Sequence, residues 1–156
     1  MNKNNYNEIK LLVDKNELDL FKSYVEINNL DININFTTNP KANDSILFYC
    51  VRNEKPDFIK YLLTFKNIDL TKQNNSKSTA LSHCIAYKKK DLFDILMAHS
   101  DPGLNIKDGQ DMYPLTRASQ ARNLEMIQCI MAHKSHIWPQ MKIQHSFMQL
   151  VISKPS

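Results

Sequence analysis

The chain has 156 residues, 42% of them apolar and 23% charged, with a net charge of +4. That suits one domain with a continuous core and leaves too small a basic excess to suggest a nucleic-acid binder. Three cysteines without CxxC spacing, Cys50, Cys84 and Cys129, argue against a disulfide framework, and neither the polar start nor the short apolar run Ile46 to Val51 suggests a signal or a membrane span.

Self-similarity organises the rest, because Leu47, Leu81 and Leu115 stand 34 residues apart. In chain order, the first unit, residues 5–38, is anchored at Ile9 and carries Phe21, Tyr24 and Val25 at the spacing of one buried helical stripe. It ends in the extended segment Asp31-Ile32-Asn33. The second unit, 41–73, has Leu47, the small Cys50, then Ile59, Leu62 and Leu63, and closes on Asp69-Leu70-Thr71. The third, 74–107, repeats this with Leu81, Cys84, Phe93, Leu96 and Met97, closing on Gly103-Leu104-Asn105. The fourth, 108–134, has Leu115, Ala118, Ile127, Ile130 and Met131.

Each unit therefore predicts two short helices and a polar, turn-forming loop. Two such helices cannot bury their apolar faces alone, so neighbouring units must cover them. The tail, 135–156, departs from the repeat. Its Trp138 and Phe147 are predicted to cap the last unit around Ile127 and Ile130.

Chemistry-bearing residues are spread along this pattern. Cys129 and His133 lie four apart on one predicted helix, and His99 stands one repeat earlier. A zinc site needs four converging ligands, or three and water, whereas a stack distributes these residues. Cys50 and Cys84 fill the slot of Ala118, as buried structural thiols do. His83 and Cys84 are adjacent on a helix and point to different faces, so no nucleophile–base pair is expected. Asp57, Asp91 and Glu125 recur at the start of the second helices, where a negative charge suits the helix dipole. Lys88-Lys89-Lys90 reads as a solvated turn. No cofactor or metal is expected; an enzyme or zinc-dependent domain using the His and Cys positions is the competing hypothesis.

Asp108-Gly109-Gln110-Asp111-Met112-Tyr113-Pro114-Leu115 resembles the D-x-x-G-x-T-P-L opening of the ankyrin repeat. Ser78-Thr79-Ala80-Leu81 and Asp44-Ser45-Ile46-Leu47 are weaker versions, and Asp31-Ile32-Asn33 is similar to the family's D-V-N ending. The resemblance spans roughly Asn5 to Lys134. It implies an all-α, ankyrin-type helix–turn–helix repeat solenoid with protruding hairpin-like loops, residues 1–156 forming one domain. It further implies a non-enzymatic module, an adaptor or regulator, that binds another protein through its loop tips and concave first-helix face. Carried over copy by copy, the loop-tip and first-helix positions give the expected contact set: Tyr49, Arg52, Asn53, Ser78, His83, Tyr87, Gln110, Met112, Arg117 and Gln120. The chain is expected to be monomeric and cytoplasmic, with neither nucleic acid nor membrane as partner.

Two departures stand out. Phe48, Ser82 and Thr116 replace the family's histidine after the leucine. Asn16, Glu54, Lys88 and Arg122 replace the glycine between the helices. Only Asn readily takes a left-handed backbone, so irregular inter-helix turns and reduced stability are predicted.

Overall fold

A computed structural model describes residues 3–36 and 42–133, and eight helices occur among them. They run as α1 (Lys3–Asp14), α2 (Leu18–Ile27), α3 (Ile46–Arg52), α4 (Pro56–Leu62), α5 (Ala80–Ala86), α6 (Lys90–Met97), α7 (Pro114–Gln120) and α8 (Leu124–Ala132). A two-residue hairpin pairs β1 (Asn35–Phe36) with β2 (Asp44–Ser45), antiparallel, with Asn35 opposite Ser45. No described helix is long and apolar enough to cross a membrane. The predicted cap over 135–156 and the loop residue Lys41 lie outside the described residues.

The anchors explain why these helices pair. Ile9, Leu47, Leu81 and Leu115 are all buried, as are Phe21, Ile59, Phe93 and Ile127 on the second helix of each unit. First helices pack in series, α3 on α5 and α5 on α7; second helices do the same, α4 on α6 and α6 on α8. Cys50, Cys84 and Ala118 are fully buried on the first helices, where a small side chain lets neighbours approach. Ile32, Leu70 and Leu104, the apolar residues of the extended segments, close the core below.

At Leu47 and Leu81 the helix start follows from the polar residue two before the anchor. The Ser45 hydroxyl accepts from the Phe48 amide at 3.2 Å. Thr79 accepts from the Ser82 amide at 3.1 Å while Ser82 Oγ accepts from the Thr79 amide at 2.9 Å, a reciprocal capping box. Tyr113 offers no side-chain cap, and Pro114, which has no N–H to satisfy, begins α7 instead.

The inter-helix turns overturn the expectation of irregularity. Asn16, Glu54, Lys88 and Arg122 all adopt positive φ, at 61°, 54°, 54° and 53°. Each turn carries the same two backbone bonds. In the second, the Glu54 amide donates to the Val51 carbonyl at 3.2 Å and the Lys55 amide to the Cys50 carbonyl at 2.9 Å. The third places Lys88 and Lys89 against Ile85 and Cys84, at 3.2 and 2.8 Å. Satisfying the last helical carbonyls offsets the steric cost of a side chain in this region. The side chains also reach between units: Lys55 Nζ donates to Asn16 Oδ1 at 3.3 Å, and Lys89 pairs with Glu54. Glycine could supply no such partner.

Lys88 is exposed and holds the strained conformation. Lys88→Gly should therefore raise stability by about 0.5–1 kcal/mol, the relief of left-handed strain less the glycine's greater unfolded-state entropy. Chemical denaturation measures this; a destabilised variant would show that the turn is not strained.

Candidate functional site

The loops before Leu81 and Leu115 are each built around a single polar side chain seven residues before the anchor. Asp108 Oδ1 accepts from the amides of Gln110 at 2.9 Å and Met112 at 3.2 Å. Asn74 Oδ1 does the same for Ser76 and Ser78, both at 3.0 Å. Main-chain bonds close each loop, Asn74 N–H to the Ser78 carbonyl and Asp108 N–H to the Met112 carbonyl. Neighbouring loops then touch. A Cβ on Gly109 would sit 2.2 Å from the Ser76 carbonyl oxygen, so only glycine allows this approach. Gln73 Nε2 bridges two loops, donating to the carbonyls of Lys77 at 2.6 Å and Lys107 at 2.7 Å.

Where the loops meet the first helices, a groove of about 330 Å³ opens between α5 and α7. Ser78, His83, Tyr87, Asp108, Gln110 and Arg117 line it. Five members of the expected contact set thus come together from two units. Tyr87 is 64% exposed and lies over the His83 ring, with centroids 4.4 Å apart. Met112 is half-buried beside the loop, while Gln120 is exposed at the end of α7.

The remaining members lie on α3 and serve the stack itself. Tyr49 is only 8% exposed, and its hydroxyl donates to Asp14 Oδ1 across the first two units at 2.6 Å. Asn53 is exposed but bends back, Nδ2 donating to the Tyr49 carbonyl at 2.8 Å. Arg52 meets the buried carboxylate of Asp44 at 2.5 Å, a contact of charge rather than of hydrogen-bond direction. Its guanidinium also sits 5.3 Å from the Tyr49 ring centroid.

Arg117 is engaged in the same way. Its Nε donates to Asp108 Oδ2 at 2.6 Å, and Nη2 pairs with the same oxygen. Burial alone would raise the Asp108 pKa. The Gln110 amide, the Arg117 guanidinium and the Met112 amide outweigh that and hold the carboxyl below its ordinary value. Both arginines that sequence reasoning assigned to a partner are thus committed to buried aspartates. Asp44 and Asp108 are the residues it passed over as partners for them. The opposite charges eight and nine residues apart were visible, but spacing across a loop and a helix start does not reveal side-chain direction.

Cys50 and Cys84 show no sign of activation. Burial pushes the Cys84 thiol up to about 12 and raises Cys50 further still, so both stay protonated and poor nucleophiles. His133 Nε2 lies 3.1 Å from the His99 carbonyl oxygen, a contact between units. Among the described residues, no three His, Cys, Asp or Glu side chains gather as a metal would need.

The Asp108 carboxylate joins loop to helix, so Asp108→Asn should cost roughly 1.5–3 kcal/mol at neutral pH. Its pKa is lowered on folding; the contribution is complete above the ordinary carboxylate value of 3.8 and is lost as pH falls through the folded value. The stability gap between parent and variant, measured by denaturant titration, should therefore persist from pH 7 to about pH 4 and close only below it. A gap that closes near pH 6 would contradict the assignment.

Comparison with known proteins agrees with the repeat. A family model described as ankyrin repeats, three copies, matches residues 1–108. No curated protein sequence matches the chain. Among solved structures, the chain is similar in fold to the ankyrin repeat domain of Bcl-3, described as a unique member of the IkappaB protein family. The TM-score is 0.63 at 19% identity, over 80% of this chain and 50% of that one. The chain thus spans half the length of that domain. Period, paired helices, loop construction and the family match lead to one conclusion: the chain belongs to the ankyrin repeat family, whose repeats generally serve as protein–protein interaction modules.

Proposed function

We propose that this chain is a non-enzymatic adaptor or regulator that takes a partner protein across its loop tips and first-helix face. The observation that carries this reading is the groove between α5 and α7, where an exposed aromatic ring and neutral hydrogen-bonding groups from two units share one surface. Aromatic residues contribute strongly to interface cores, and a tyrosine left 64% exposed over a half-buried histidine is a fitting anchor. Ser78, His83, Tyr87, Gln110 and Met112 form the centre of the proposed contact. Arg52, Asn53 and Gln120 lie towards its rim. Arg117 shapes the groove through Asp108, and Tyr49 acts by joining units.

The same reading takes residues 1–156 as one monomeric, cytoplasmic repeat domain, closed by a cap over 135–156. Binding is expected to use no cofactor.

Cross-linking capture from cell extract, with thermal melts as controls, tests the surface. Tyr87→Ala, Gln110→Ala and Met112→Ala together should weaken capture by more than about tenfold without unfolding the chain. Lys60→Ala and Gln128→Ala, exposed on the second helices, should leave it intact. Loss of capture from the second-helix pair alone would place the site on the opposite face.

A further inference from the structure

His83 enters the groove on a seat made of rings. Phe48 meets it edge-on, with centroids 5.2 Å apart, and Tyr87 covers it at 4.4 Å with the planes inclined by 34°. Phe48 is buried and Tyr87 largely exposed, so the imidazole is the half-buried step between the core and the groove.

The charges around it are already paired, Arg52 with Asp44 and Lys89 with Glu54. Arg52 reaches it from α3, Lys89 from the α5–α6 turn and Asp44 from β2. Asp44, the carboxylate that acts on it, is already engaged by Arg52. Across the groove, on α7 and its loop, Arg117 and Asp108 neutralise each other. A proton on His83 would thus add a cation to a half-buried place where Asp44, Glu54 and Asp108 are each already paired.

We propose that His83 is a proton-operated switch on this groove: uncharged, it completes the aromatic seat; protonated, it leaves Phe48 and swings outward along Tyr87, changing the groove's charge and shape under mild acid. The outward direction follows because an exposed aromatic face can still hold a cation, whereas the buried side of the seat cannot. Burial first, then Arg52, depress the His83 pKa below its ordinary value of 6.5; Asp44 opposes them, and Lys89 adds the least, again downward. Since the folded value lies below the unfolded one, the stability due to the neutral ring is complete above 6.5 and is lost as pH falls through the folded value. The switch is a property of the free chain and needs no partner to operate.

Proton NMR of the full chain, titrated from about pH 7.5 to 5, tests it. The imidazole signal that disappears in His83→Gln should titrate with a midpoint below 6.5, and the Phe48 ring signals should shift with the same midpoint. In His83→Gln the Phe48 signals should stay still. Arg52→Gln removes one cation and frees Asp44, so in that variant the midpoint should rise, which gives a second reading if His83→Gln folds poorly. A midpoint at or above 6.5 in the parent, Phe48 signals that do not follow it, or a midpoint unmoved in Arg52→Gln would each overturn the switch.

Discussion

Phe21 of α2 and Phe58 of α4 meet with ring centroids 5.2 Å apart, and Tyr61 adds an edge-on contact to Phe21 at 6.0 Å. This burial of one unit's second helix by the next is the interaction on which the rest of the structure depends. Its effect can be seen at a single repeat position. Phe58, Leu92 and Met126 occupy it in the last three units and are buried, each with a described unit before it. Leu20 occupies it in the first unit and is 58% exposed. The residue types are alike; the neighbour decides burial. A helix pair here has no complete core of its own, and its stability is a sum of weak internal terms and strong interfaces.

The same stacking creates the face proposed to bind a partner. Placing units side by side aligns the loops before Leu81 and Leu115 with the helices just after them, and one polar side chain, Asn74 or Asp108, organises each of these two loops from within. Neighbouring loops then lock through Gln73 and the close approach at Gly109. A surface held this way loses little freedom when a partner arrives, and preorganisation of that kind favours affinity more than contact area does. The concave arginines contribute to this rigidity. Paired to Asp44 and Asp108, they are spent inside the protein, and the proposed contact therefore centres on Tyr87, His83 and the amides and hydroxyls of the loops.

Period and core were legible in the sequence because both depend on which positions are apolar, and burial tolerates exchange between Ile, Leu, Phe and Met. The anchors fell where spacing put them; of the second-helix stripes, Tyr24, Leu63, Met97 and Met131 are only half-buried, while Phe58, Leu92 and Met126, which spacing did not single out, are buried. Local backbone geometry was not legible. Glu54, Lys88 and Arg122 disfavour the left-handed region as residue types, yet the paired carbonyl bonds of the turn and, at Glu54, a lysine from the next unit hold them there. Tertiary contacts outweighed propensity. The candidate site was half legible. Repeat offsets placed Ser78, His83, Tyr87, Gln110 and Arg117 on one surface, but whether a side chain faces solvent or a neighbour depends on the adjoining unit. Hence Tyr49 and Tyr87, both aromatic and both on first helices, divide between a joint to Asp14 and an exposed ring.

If interfaces rather than units supply the stability, weakening one interface should release the shorter side of the stack first. Native-state hydrogen exchange on Phe58→Ala measures this directly, amide by amide. The account predicts that the amides of α1 and α2 lose protection far more than those of α7 and α8, because Phe58 packs on Phe21 in the joint to the first unit, whereas α7 and α8 form a unit two further along the stack. Equal loss throughout the chain, or undiminished protection in α1 and α2, would contradict it.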